Sequence, residues 1–149
     1  MSASCSGSLS RGGAATRIVV GVLVAVLLIV VAVLVFPSRE KRLWSFVDSC
    51  RDALLAGREE DFMAKFAPSV RYQSGGGTVE IRRDFKRYRS LGVPQPTFTS
   101  HAATFDAEGA DVVLDVLLTV ALRPLGQFHV RMHATDAGGE WRLTDVRWE

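Results

Sequence analysis

The sequence is poor in the residues that build metal sites and disulfide frameworks. Its 149 residues include two cysteines and three histidines. Cys5 and Cys50 lie on either side of a long apolar run, so they cannot pair within one chain if that run crosses a bilayer. His129 and His133 lie on one predicted strand, about 13 Å apart, which is too far to share a zinc ion. We therefore expect no metal and no cofactor.

Acidic residues are absent from the first 36 positions, where the only charged side chains are Arg11 and Arg17. Removing these two from the 18 basic residues leaves 16, which equals the number of acidic residues in the chain. Residues 37–149 are therefore formally neutral. A neutral domain argues against a nucleic-acid partner, because binding to phosphates favours a basic surface.

One uninterrupted apolar run begins at Ile18 and ends at Phe36. As a helix that rises about 1.5 Å per residue, it would extend about 28 Å, close to the roughly 30 Å hydrocarbon thickness of a bilayer. Its length and the bulky residues before Pro37 favour a retained membrane helix over a cleaved signal peptide. We predict a disordered tail over residues 1–17, a single transmembrane helix in the lipid bilayer over 18–36, and a domain over 37–149.

Positive charges flank this run on both sides, so the positive-inside rule barely separates the two orientations. Two arginines precede the run, and Arg39, Lys41 and Arg42 follow it. The short, acid-free tail favours a cytoplasmic N-terminus and an extracytoplasmic domain.

Three helices are predicted in the domain. The first follows Pro37 and ends at Gly57, a residue that favours a left-handed helix stop. Its apolar stripe has helical spacing and consists of Leu43, Phe46, Val47, Cys50, Ala53 and Leu54. The second helix spans about residues 59–66. The third spans 79–90 and carries basic residues between Arg82 and Arg89, where a solvated face is favoured over contact with anionic lipid.

From Pro96 onward the apolar period changes to two, which predicts strands. The predicted strands cover residues 97–105, 111–122, 127–135 and 141–148. Short turns at 108–109, 124–126 and 137–139 connect them, so we expect an antiparallel sheet. The second strand has an unbroken apolar face, and the last changes phase near Thr144 and Asp145, where we predict a β-bulge.

Two segments resemble those of a known superfamily. The superfamily is the nuclear transport factor 2-like (SnoaL-like) one. Its recurrent phrase, in which one helix ends in Ala-Gly and a second ends in Phe-Ala-Pro before the first strand, resembles residues 53–72, ALLAGREEDFMAKFAPSVRY. Its usual closing strand resembles residues 139–148, GEWRLTDVRW. The resemblance implies an α+β cone, also called cystatin-like, with about three helices on a curved antiparallel sheet of four or more strands. It also implies a cavity between the helices and the sheet.

The resemblance does not extend to the acid and base groups of the isomerases in this superfamily. The position of their tyrosine donor matches Cys50, the position of the base lies near Gln73, and the later acid position lies near Arg131. None of these three residues has the chemistry that proton abstraction beside a carbonyl requires.

Asp115 is the carboxylate with the most unusual surroundings, because Val113 and Leu117 flank it on the same strand face. It could lie in the cavity with a raised pKa. The favoured alternative is a pair with Arg131 or another strand arginine. Tyr72 and Trp44 are further candidates to line the cavity, although aromatic core positions are the usual role of such residues.

Two functions remain open. The favoured one is a membrane-anchored, non-catalytic binding or assembly module, with a homodimer through the sheet or a small hydrophobic ligand. Inner-membrane assembly proteins of type IV secretion systems, within the superfamily, share this layout. The alternative is a tethered isomerase, dehydratase or cyclase on a hydrophobic molecule, with Asp115 as base and His129 or Tyr72 as proton donor.

Overall fold

The computed structural model of the chain describes residues 12–35 and 37–149, with side chains described for 19–32 and 37–149. The chain separates into two units between Arg39 and Glu40. The first unit contains helix α1, Gly12–Val35, whose described valine, leucine and isoleucine side chains are exposed. No helix of the described residues is both long enough and apolar enough to cross a membrane. Residues 1–11 of the predicted tail and Phe36 lie outside the described residues, and α1 begins within the predicted tail.

Helix α2, Arg39–Ala56, opens the second unit and confirms the first predicted helix. It buries Leu43, Val47 and Ala53, which belong to the predicted stripe. Gly57 ends the helix with a φ of 67°, and its amide donates to the Leu54 carbonyl at 3.2 Å. The glycine is needed here because a side chain in the left-handed region meets a steric penalty.

The second predicted helix is shorter than expected. Helix α3, Glu59–Met63, ends three residues early, and strand β1, Phe66–Tyr72, begins at the residue where the helix was predicted to stop. The reason is long-range pairing, because β1 runs parallel to the last strand and places Phe66 beside Leu143. The sheet is therefore mixed, which corrects the prediction of a purely antiparallel one.

Helix α4, Thr78–Ser90, confirms the third predicted helix and buries Ile81 and Phe85. Its first turn is capped by the Glu80 carboxylate, which accepts a hydrogen bond from the Gly77 amide at 2.8 Å. This contact satisfies one of the backbone donors that a helix N-terminus leaves unpaired.

Four more strands complete a curved, five-stranded sheet in the order β1-β5-β4-β3-β2. They are β2, Pro94–Phe105; β3, Gly109–Val120; β4, Arg123–Ala137; and β5, Glu140–Trp148. The predicted bulge is confirmed, because His133 pairs with Asp145 while its neighbour Ala134 pairs with Leu143. Thr144 is thus the extra residue, and both phases of β5 reach the core.

The turn between β3 and β4 differs from the prediction. It consists of Ala121 and Leu122, with φ values of 50° and 65°, whereas the turn was predicted at residues 124–126. Pro124 instead lies inside β4 and pairs with Thr119. Leu122, predicted on the apolar face of the strand, is 90% exposed.

The core lies between the helices and one face of the sheet, called here the inner face. The alternating residues Val112, Leu114 and Val116 of β3 are buried there and form one cluster with Leu43 of α2 and Ile81 of α4. Burial of each such side chain stabilises the fold by about 1.5–3 kcal/mol. The opposite, outer face of the sheet carries both polar and aliphatic side chains, among them Asp115, His129 and Leu117.

Candidate functional site

A cavity of about 230 Å³ lies between the helices and the inner face of the sheet. Its lining is mainly apolar and comes from α2, α3, α4 and all five strands, with representative residues Val47, Phe62, Phe85, Leu114, Phe128 and Trp148. A concave apolar space with a few polar groups is the usual form of a small-molecule site.

One polar feature of this wall is a hydrogen-bonded pair, Tyr72 and Asp84, and Arg51 and Tyr88 also line the cavity. The Tyr72 hydroxyl donates to Asp84 Oδ2 at 2.9 Å. Tyr72 lies at the end of β1, where its ring packs edge-on against Trp148 with 4.7 Å between ring centroids. Asp84 lies on α4, and its side chain is 21% exposed. Two different elements therefore hold the pair in place.

The surroundings of Tyr72 keep its hydroxyl neutral. Burial raises the pKa of Tyr72 well above its usual value, and the hydrogen bond to Asp84 raises it further. A general acid or base works best with a pKa near the working pH, so this shift is in the wrong direction for proton transfer. Because the tyrosine proton is already directed at the carboxylate, the pair offers a ligand acceptor lone pairs rather than a donor.

Cys50 of α2 also lines the cavity. Burial raises the pKa of its thiol from 9.0 to about 12, and the nearby positive charge of Lys65 opposes this shift only in part. The thiol is therefore protonated at neutral pH, and a protonated thiol is a poor nucleophile. Cys50 acts as a small apolar wall residue.

This shift predicts slow chemistry at Cys50. In a Cys5→Ser chain at pH 8, alkylation of native Cys50 by iodoacetamide should be about 1,000-fold slower than alkylation of the unfolded chain, because three pKa units lower the thiolate fraction by that factor. Mass spectrometry of timed samples measures the rate of alkylation, and equal rates in the native and the unfolded chain would contradict the raised pKa of Cys50.

The raised pKa of Cys50 also makes stability depend on pH. Its contribution to the free energy of unfolding is fully present below pH 9 and is lost as the pH rises towards 12.

Asp115 lies on the outer face, away from the cavity. It accepts a hydrogen bond from Ser100 Oγ at 2.6 Å, and its other oxygen is 2.8 Å from Nδ1 of His129. The hydrogen bond from Ser100 lowers the pKa of Asp115, and the bond to His129 lowers it further. The expectations of a cavity position, a raised pKa and an arginine partner are all corrected, since His129 takes the place of the arginine.

The other predicted site residues are spread over the domain. Trp44 packs edge-on against His101, with 4.7 Å between ring centroids, and contacts the core from outside the cavity. Arg131 is exposed on β4, where Val113 and Arg147 are its strand partners. Of the predicted pocket residues, only Tyr72 lines the cavity within the described part of the chain.

Asp84 was not identified as a site residue from the sequence, where it interrupts the basic residues of the third predicted helix. A signal was present, because Asp84 lies beside Phe85 and three residues after Ile81, at the border of the apolar face of α4. A carboxylate at such a border can reach the space that the apolar face covers.

The predicted basic face of α4 is partly neutralised. Arg82 forms ion pairs with Glu59 and Glu60 of α3, and Lys86 is 3.6 Å from Glu59. These contacts connect two helices at the surface, so lipid binding by this face alone has little support. Within the described residues, no three acidic, histidine or cysteine side chains come together as a metal site.

Because Asp115 lies outside the cavity, Asp115→Asn should leave ligand affinity unchanged. The expected result is a dissociation constant within about twofold of wild type, since the substitution touches only Ser100 and His129 on the outer face. Titration calorimetry of the two chains with one aromatic ligand checks this. A tenfold loss of affinity would place Asp115 in the site after all.

No family model and no curated protein match the chain. Its structure is similar to Aln2 from a Streptomyces species, with a TM-score of 0.67 and 16% identity over 76% of this chain and 93% of that one. An NTF2-like protein of unknown function from Pseudomonas putida gives a TM-score of 0.62 and 10% identity over 72% and 82%. A proposed ketosteroid isomerase from Shewanella frigidimarina gives 0.59 and 18% over 70% and 92%. At these identities the likeness shows the fold alone.

Proposed function

Because the domain has the nuclear transport factor 2-like fold, whose members carry unrelated functions, we propose a function from its cavity. The chain is a membrane-anchored, non-catalytic module that binds a small, mainly apolar molecule bearing one hydrogen-bond donor. The observation that carries this proposal is the Tyr72–Asp84 pair in the wall of an apolar cavity.

The cavity volume limits the size of the ligand. An apolar cavity of about 150 Å³ can hold benzene. A space of about 230 Å³ therefore suits a ligand of about two fused rings or an equivalent aliphatic group. Asp84 and Tyr72 favour a ligand hydroxyl or amine, because their oxygens have lone pairs that can accept a hydrogen bond in addition to the contacts with each other and with Arg83.

The polar groups of the cavity support binding rather than catalysis. Tyr72 keeps its proton, Cys50 is a neutral thiol, and Asp115, the base in the alternative hypothesis, lies on the other side of the sheet. An isomerase or cyclase would need a poised base and a donor aimed at the developing oxyanion. Asp84 is the carboxylate in the cavity wall, and it accepts the hydrogen bond from Tyr72, so the tyrosine proton is directed at Asp84 rather than at a ligand oxyanion.

A matched pair of probes tests the binding proposal. 1-Naphthol and naphthalene differ by one hydroxyl. The full chain in lipid nanodiscs should bind 1-naphthol about tenfold more tightly than naphthalene, because one additional hydrogen bond of about 1.4 kcal/mol corresponds to a tenfold change in affinity. Titration calorimetry, corrected with empty nanodiscs, measures both affinities. Equal affinities for the two probes would remove the role of the Tyr72–Asp84 pair.

The non-catalytic role has a separate test. After prolonged incubation with the chain, 1-naphthol and a β,γ-unsaturated cyclic ketone should both be recovered unchanged by chromatography. Isomerisation of the ketone by wild type that is lost in Asp84→Asn would instead support the enzymatic alternative.

Membrane anchoring is proposed on the uncharged run between Ile18 and Phe36. The chain should resist alkaline carbonate extraction, and a reporter fused after Glu149 should be active only on the extracytoplasmic side. Complete extraction by carbonate would contradict the anchor without affecting the ligand site.

Self-association through the outer face of the sheet is proposed in addition, and sedimentation equilibrium tests it.

A further inference from the structure

Four exposed aliphatic side chains cluster at one end of the domain. They are called the rim and consist of Leu91, Val93, Leu122 and Leu125, with exposed fractions between 48% and 90%. The sheet brings them together, because Pro94 of β2 pairs with Val120 of β3, directly before the β3–β4 turn. Contiguous exposed apolar groups of this kind mark interaction surfaces.

The backbone of the β3–β4 turn is strained at its exposed leucine. Ala121 and Leu122 both have left-handed φ values, in a two-residue turn that favours Asn and Gly. Each such non-glycine residue costs about 1–2 kcal/mol. Leu122 is 90% exposed, so packing within the domain does not offset this cost. The strained residue therefore points to a role outside the domain.

Cavity-lining residues lie next to the rim, and one of them, Pro94, directly follows Val93 and is itself buried. Leu118 and Phe128, which flank the turn, and Phe98 at the start of β2 all line the cavity and are half-buried. Deeper lining residues, such as Leu114 and Leu143, are buried. A molecule that enters or leaves the cavity at this end passes the rim.

The charge around the rim is basic. Residues 85–105 and 116–135 contain no acidic side chain, and they place exposed Arg87 and Arg123 beside the rim. On α2, Asp48 and Asp52 both contact one arginine, Arg51, at 3.3 and 3.5 Å, and Asp84 on α4 accepts a hydrogen bond from Tyr72. Exposed aliphatic groups interspersed with arginines are suited to an anionic lipid surface, where the arginines meet phosphates and the aliphatic groups insert below them.

We infer that the rim docks onto an anionic lipid bilayer and that the cavity exchanges its ligand with that bilayer. The second half of this inference rests on the proposed function.

The test uses the full chain in nanodiscs of neutral lipid, mixed with larger vesicles that contain either phosphatidylcholine alone or phosphatidylcholine with phosphatidylglycerol. Sedimentation of the vesicles should carry the nanodiscs down only when phosphatidylglycerol is present, and less at high salt. A chain that does not enter nanodiscs is added to the same vesicles directly, so the test does not depend on anchoring.

Leu122→Asn removes the aliphatic group and keeps a residue that accepts the left-handed turn, so folding is retained. This variant and Arg123→Glu should each lower the bound fraction about tenfold at limiting vesicle concentration. The control is Val79→Asn, which changes a side chain that is 74% exposed at the far end of α4. It should sediment as wild type does.

Three results would overturn docking: wild-type sedimentation of both rim variants, an equal loss in the control, or association of nanodiscs without vesicles, which would indicate a second copy of the chain. The 1-naphthol titration separates the two proposals. If Leu122→Asn and wild type bind 1-naphthol equally, but wild type does not sediment with the vesicles, only the docking proposal fails. If wild type sediments but does not bind 1-naphthol, only the ligand proposal fails.

Discussion

Gly109→Ala is expected to lower the free energy of unfolding by about 3 kcal/mol, the upper part of the range for overpacking. Gly109 begins β3, and a β-carbon at this position would lie 2.1 Å from the backbone oxygen of Ala134 on β4. Backbone atoms of a paired strand cannot move aside as a flexible side chain can. The β3–β4 ladder, which contributes Leu114 and Val130 to the cavity lining, must therefore shift.

Gly138→Ala is the matched control, because it adds the same methyl group in a turn where no atom lies within 4 Å of the new β-carbon. Its φ of 67° still disfavours alanine, so a loss of about 1–2 kcal/mol is expected. Urea denaturation of both variants measures the difference. Equal losses of unfolding free energy in the two variants would contradict a close approach of β3 and β4 at Gly109.

Asp84→Asn is expected to remove the preference of the cavity for 1-naphthol over naphthalene. The carboxylate accepts a hydrogen bond from the Tyr72 hydroxyl in the described geometry, and hydrogen bonds to charged groups contribute about 1.5–3 kcal/mol. Loss of the charge should weaken 1-naphthol binding about tenfold or more and leave naphthalene within about twofold. Calorimetry with both probes separates loss of the hydrogen bond from loss of the cavity.

Tyr72→Phe provides the companion measurement. It keeps the ring that packs on Trp148 and removes the hydroxyl that occupies Asp84. A ligand hydroxyl can then donate to Asp84 without competition, so 1-naphthol affinity should be retained or increased. Parallel loss of both probes in Asp84→Asn would contradict a specific role of the carboxylate and indicate a collapsed cavity.

Much of the fold could be predicted because its signals are local. The stripe of α2 and its stop at Gly57 depend on neighbouring residues, and so does the change of phase in β5 that indicates the bulge at Thr144. Helical and strand periods are both visible in windows of about ten residues. The three helices and the antiparallel pairing of strands β2 through β5 were confirmed, whereas the predicted position of the β3–β4 turn was wrong.

The error at the second helix has a non-local cause, and the error at the β3–β4 turn has a local one. Residue 66 was assigned to the end of a helix, but parallel pairing with β5 draws Phe66 into a strand. Parallel partners lie far apart in the sequence, so no short window contains that information. The Ala121–Leu122 turn carries neither glycine nor asparagine, whereas the nearby Pro124 and Gly126 resemble a turn signal.

The candidate site shows the same division. Tyr72 was proposed as a pocket residue, but its partner Asp84 is twelve positions away on another element. Asp115 was chosen because apolar residues flank it along its strand, yet alternation along a strand does not reveal which face meets the helices when both faces carry aliphatic residues. Its partners on β2 and β4 became visible only with the register of the sheet.

The most direct test of a donor-selective ligand cavity is the position of a bound probe. Nuclear Overhauser contacts from 1-naphthol to the full chain, in nanodiscs of deuterated lipid, should connect the probe to the side chains of Tyr72, Phe85 and Trp148, which line the cavity. Contacts confined to His129 and His133 on the outer face, or none under saturating probe, would contradict the account.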